Sequence, residues 1–150
     1  MTQASDSLVI DASVAVKWYL QDEADAAKAL TLLDALDAGS VQLAAPDQIR
    51  YEIGSALHVA TKQNRQRLTE SQADRALIAF LRVHLDTYND DDLIREAVTL
   101  ARTYIIAFYD SLNLALAQRL GIPLIMADRK LYERIRHLPE ALWLGDWRPA

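Results

Sequence analysis

Two kinds of hydrophobic pattern alternate along the chain. Short unbroken apolar runs come first: Ser7-Leu8-Val9-Ile10, then Val41-Gln42-Leu43-Ala44, Ile105-Ile106-Ala107-Phe108 and Leu124-Ile125-Met126. Such runs are short for helices and predict strands buried on both faces. Between them, apolar residues recur every three or four positions, as on one face of a helix. A short helix is predicted over residues 14–20, and a second over 22–38 with Gly39 as its stop. After Pro46 and Asp47, Ile49, Ile53, Leu57 and Ala60 mark a helical face. Thr69-Glu70-Ser71-Gln72 matches a capping box, opening a helix that carries Ala73, Ala76, Leu77, Phe80 and Leu81. Asn89-Asp90-Asp91-Asp92 opens another, with Leu93, Ala97, Leu100 and Ala101 inward.

The stretch YDSLNLALAQRLGIPLIMADRK, residues 109–130, organises the rest. Its helix is apolar on nearly every side and so must be largely buried. Gly121 ends the helix, Pro123 starts the next element, and Asp128 leaves the strand that follows. A short basic helix and a last apolar run, Leu142-Trp143-Leu144, complete the chain. Strands alternating with helices predict an α/β fold: one domain over residues 1–150, with a central parallel sheet flanked by helices. No repeat or linker interrupts it.

Composition narrows the classes. An apolar fraction of 51% with 25% charged residues fits a globular domain rather than a disordered chain. No run approaches a membrane span, and the N-terminal MTQASDS lacks a signal-like segment. The absence of cysteine excludes disulfides and thiolate metal sites, and is compatible with a cytoplasmic location. A formal charge of −5 argues against an indiscriminate polyanion binder.

The candidate chemistry lies in four acids. Asp11 leaves the first predicted strand, Asp110 follows the third and Asp128 leaves the fourth, while Glu52 sits early on the helix after the second. In a parallel sheet these positions fall along one edge, where ligands bind. Each acid alone has a plainer role as a strand end, helix cap or solvated residue. Together they raise an electrostatic problem, since two carboxylates about 4 Å apart repel by about 4 kcal/mol at an effective dielectric of about 20. Either some are protonated or a divalent cation neutralises them. Oxygen ligands without sulfur favour Mg²⁺ or Mn²⁺, which points to phosphoester hydrolysis.

Three stretches in order, VIDASVAVKWYL (9–20), APDQIRYEIGSALHVA (45–60) and YDSLNLALAQRLGIPLIMADRKL (109–131), resemble the PIN-domain ribonucleases, specifically the VapC-like toxins of toxin–antitoxin pairs. The resemblance implies that Asp11, Glu52, Asp110 and Asp128 are catalytic and bind the metal, with Ser13 as a supporting polar group. It implies endonucleolytic RNA cleavage by a metal-activated water, using Mg²⁺ or Mn²⁺. It also implies a homodimer and inhibition by a cognate, VapB-like antitoxin. Where such proteins often carry Thr or Ser two residues before the last acid, this chain has Met126.

Basic residues cluster at 62–67, KQNRQR, and at Arg129, Lys130, Arg134 and Arg136. The second cluster follows Asp128 directly, so Arg129, Lys130 and Arg134 are candidate RNA contacts, against the alternative of a solvated helix end. Lys17 and Arg50 are weaker candidates. Trp18 and Tyr19 suit packing better than base stacking. Two competing functions are a degenerate, non-catalytic PIN-like module that binds RNA or protein, and a haloacid-dehalogenase-like phosphatase. The phosphatase needs a second acid two residues after Asp11, where this chain has Ser13.

Overall fold

Leu8, Val9 and Ile10 are all buried, although successive side chains of a strand point to opposite faces. That is possible only where both faces of the sheet are covered. In the computed structural model, which describes residues 5–150, both are. The reading of the N-terminal MTQASDS falls largely outside those residues. Five strands, β1 (Asp6–Ile10), β2 (Val41–Pro46), β3 (Asp86–Tyr88), β4 (Leu124–Met126) and β5 (Ala141–Trp143), pair in the order β3-β2-β1-β4-β5. Every pairing is parallel.

Leu8, Ile10, Leu43, Ala45 and Ile125 face one layer of helices: α1 (Ala12–Ala15), α2 (Ala26–Asp37), α3 (Ile49–Ala60) and α4 (Glu70–Leu81). Val9, Ala44, Leu124 and Met126 face the other: α5 (Asp91–Tyr104), α6 (Phe108–Leu120) and α7 (Arg129–Ile135). Central α6 buries every residue from Ser111 to Ala117, as its all-round apolar pattern requires. Among the described residues no helix is long and apolar enough to cross a membrane. The capping box at Thr69 and Gln72 is present, with both reciprocal hydrogen bonds formed.

The structure differs from the sequence pattern in three places. The predicted strand at Ile105-Ile106-Ala107-Phe108 does not form. There α5 ends at Tyr104, Ile105 takes a left-handed conformation as the cap, and Phe108 opens α6. Consequently Asp110 leaves no strand; it stands in the first turn of α6. The position beside β2 belongs instead to Asp86–Tyr88, a partly exposed edge strand without an apolar run. The second helix starts at Ala26 rather than 22, because Asp25 is left-handed and Asp22 is drawn into an ion pair with Arg67.

Ile105 is 72% exposed at a φ of 55°, a conformation unfavourable for a β-branched residue and common for glycine at helix ends. With little packing to lose, Ile105→Gly is expected to stabilise the protein by about 1 kcal/mol. Urea unfolding checks this; an unchanged or lower midpoint would refute it.

Candidate active site

Parallel pairing places every strand exit on one edge of the sheet, and Asp11 leaves the central strand there. Its carboxylate caps α1, yet only 4% of the residue is exposed. A buried carboxylate requires donors. Oδ2 accepts from the Ser13 backbone N–H at 3.1 Å and from the Ser13 hydroxyl. Oδ1 accepts from Asn113 Nδ2 at 2.7 Å. The Ser13 hydroxyl oxygen in turn accepts from the Ala127 N–H at 2.9 Å. Burial raises the Asp11 pKa, the Asp128 charge adds to this, and the Ser13 and Asn113 hydrogen bonds oppose it.

The other acids feel the same field. Glu52, half-buried on the first turn of α3, is pushed up to about 7 by burial, then by Asp11 and Asp110, while Gln48 opposes the shift. Asp110 is also pushed up to about 7, by burial first and then by the charges of Asp11 and Asp128. Asp128 caps α7, accepting from the Leu131 N–H at 3.1 Å. Asp11, Glu52 and Asp110 thus act on one another, and the Asp128 charge acts on Asp11 and Asp110.

Whether these residues suit a metal ion has two answers. In chemistry they do: the donors are carboxylates, and burial first, then neighbouring carboxylates, raise the pKa of the two half-buried ones to about 7. In spacing they do not enclose one. Among the described residues no group of three or more His, Cys, Asp or Glu side chains is disposed to hold a metal ion.

Asp110 and Asp128 line a cleft of about 780 Å³ together with Lys130 and Arg134, and with Glu133. Arg129 does not line it; its guanidinium lies 4.6 Å from the ring centre of Trp143. Three further basic candidates have carboxylate neighbours elsewhere. Lys17 is buried against Glu23 at 3.4 Å, Arg67 is held by Asp22 and Glu23, and Arg50 lies beside Asp47. Trp18 donates to the Ala29 carbonyl at 2.8 Å and Tyr19 packs edge-on against Phe80, so both serve the core. Met126 is fully buried on the α6 side, so a hydroxyl there would meet apolar neighbours. Sequence reasoning missed Asn113 and Gln48. The available signal was an amide at the centre of an otherwise apolar helix, where burial requires a polar partner.

The raised carboxyl pKa values have a consequence for stability. An unfolded chain releases these protons at about pH 4, whereas folded Glu52 and Asp110 keep them to about 7. The folded state therefore binds more protons in that window, and stability falls as pH rises through it. Without divalent ions, the melting temperature should decline between about pH 5 and about pH 7.5, and Asp110→Asn should flatten the decline. Thermal unfolding across pH tests this; a rising profile attributable to these residues would contradict it.

The family model of the PIN domain matches residues 8–137. No curated protein matches the chain. Among solved structures, PAE2754 from Pyrobaculum aerophilum is 21% identical with a TM-score of 0.65, the match covering 95% of this chain and 93% of that one. Mycobacterium tuberculosis VapC20, described as a sarcin-ricin loop cleaving toxin, is 14% identical with a TM-score of 0.61, covering 84% and 93%. VapBC-1 from nontypeable Haemophilus influenzae is 18% identical with a TM-score of 0.60, covering 93% and 99%. With the family model spanning most of the chain and the same fold in these structures, the protein belongs to the PIN-domain family.

Proposed function

We propose that this PIN-domain protein is a metal-dependent endoribonuclease, the toxin of a toxin–antitoxin pair. The observation that carries the reading is the coupling of Asp11, Glu52, Asp110 and Asp128, two of them opening onto a cleft that also presents Lys130 and Arg134. These four acids would hold Mg²⁺ or Mn²⁺. When bound, such a cation supplies water activation and stabilisation of charge on the phosphoryl oxygens. Asp11 contributes a carboxylate already oriented by its hydrogen bonds. Glu52 and Asp110 would contribute carboxyls, which must be ionised to act as ligands. Lys130 and Arg134 hold phosphates flanking the scissile bond. Ser13 supports Asp11 without touching substrate.

Similarity to VapC20, described as a sarcin-ricin loop cleaving toxin, and to VapBC-1 supports a toxin role. An RNA substrate, a VapB-like antitoxin and a cytoplasmic homodimer of single PIN domains over residues 1–150 are part of the same proposal. One observation favours a second reading, a degenerate module that binds RNA or protein without cutting it. No three carboxylates present themselves to one ion among the described residues.

The two readings separate in one experiment: purified protein incubated with structured RNAs in Mg²⁺ or Mn²⁺, then with EDTA. Cleavage that needs the cation and disappears in Asp110→Asn, with that variant still folded, is the expected result. Asp11→Asn should also abolish cleavage, and should cost about 1–3 kcal/mol of stability by setting an amide N–H against donors that now meet a carboxylate. RNA binding without cleavage in any cation would favour the degenerate module.

A further inference from the structure

Asn113 lies at the middle of the most buried helix of the protein, between Leu112 and Leu114. An amide there lowers helix propensity and is costly to bury unless hydrogen-bonded. Its Nδ2 donates to Asp11 and its Oδ1 accepts from Gln48 Nε2 at 3.4 Å. Gln48 occupies the N-cap of α3, where a polar side chain ordinarily satisfies its own helix, yet it makes no capping bond. Instead it reaches α6, donating also to the Tyr109 carbonyl at 3.3 Å.

The direction of this chain is set at both ends by backbone groups. The Tyr109 carbonyl can only accept, so the Gln48 amine must face α6. That turns the Asn113 carbonyl toward Gln48 and its amine toward Asp11. The other carboxylate oxygen accepts from the Ser13 N–H, while the Ala127 N–H donates to the Ser13 hydroxyl oxygen and so leaves the hydroxyl proton for Asp11. These anchors lie beside the other acids in sequence: Tyr109 precedes Asp110, Ala127 precedes Asp128, and Gln48 is one turn before Glu52.

We infer that Gln48 and Asn113 form a positioning relay that fixes the Asp11 carboxylate relative to the segments carrying Glu52, Asp110 and Asp128. Neither residue touches substrate; Gln48 acts on Asp11 through Asn113 and also bears on Glu52, and Asn113 acts through Asp11. The inference rests on the proposed nuclease reading for its purpose, though not for the contacts themselves.

Two substitutions remove the hydrogen bonds at similar size, Asn113→Leu and Gln48→Met. Equilibrium Mn²⁺ titration is expected to show about 10–100-fold weaker binding for Asn113→Leu, as for other groups that orient metal ligands, and a smaller loss for Gln48→Met. Because Gln48 reaches Asp11 only through Asn113, though it also bears on Glu52, Gln48→Met should cost less once Asn113→Leu is present than it costs alone. A purely structural role would lower the unfolding midpoint and leave Mn²⁺ affinity alone. Additive losses, or unchanged affinity in both single variants, would overturn the relay.

A second readout separates this inference from the nuclease reading. The Asn113 side-chain amide protons, observed by NMR, should be protected from exchange in the wild type and lose that protection in Gln48→Met. Wild-type protein that binds no Mn²⁺ and cuts no RNA overturns the nuclease reading. The amide signal then decides the relay alone: protection lost in Gln48→Met supports it, and protection absent from the wild type or unchanged in Gln48→Met overturns it.

Discussion

A carboxylate buried at the exit of the central strand is the constraint on which the rest of the arrangement turns. Asp11 sits where β1, flanked by β2 and β4, ends beneath helices from both layers. Water cannot solvate it freely, so the protein must supply donors. Those donors come from three directions: the turn into α1, the segment after β4 through Ser13, and the core of α6. Satisfying one buried group therefore holds together the chain segments that deliver the other acids. The polar network and the hydrophobic core specify the same geometry.

The electrostatics run against the hydrogen bonding. Burial and neighbouring charges push Asp11, Glu52 and Asp110 toward protonation, while the donors to Asp11 resist it. Such an arrangement destabilises the ionised fold near neutral pH, and a fold built only for stability would place apolar residues there. Shifted carboxyls gathered at a sheet edge mark a candidate functional site on physical grounds. The positive charge that would relieve them lies close by without pairing to them: Lys130 and Arg134 share the cleft with Asp110 and Asp128.

Much of this was legible in the residues, and the failures are specific. Leu8-Val9-Ile10 and Leu124-Ile125-Met126 announced central strands because strands covered on both faces need no polar side. Thr69 and Gln72 announced a helix start because the cap is a local interaction. Ile105-Ile106-Ala107-Phe108 misled for the complementary reason: its apolar residues cap one helix, line a cleft and open the next helix. The true edge strand, Asp86-Thr87-Tyr88, is half-exposed and owes its place to pairing with β2, which leaves no periodic mark.

The sequence by itself determined the parallel α/β architecture, the buried helix α6 and the places of Asp11 and Asp128 at strand exits, because hydrophobic period, caps and strand-end residues are local in the chain. Only the tertiary structure decided which charges act on one another and which cations are free to meet a ligand. Arg67 and Lys17 are consumed by Asp22 and Glu23, Arg129 by Trp143, whereas Lys130 and Arg134 reach the cleft. The same holds for Asn113 and Gln48, separated by 65 residues and joined by a hydrogen bond. Pairings of that kind depend on distances between elements, and packing of the two helical layers against the sheet sets those distances.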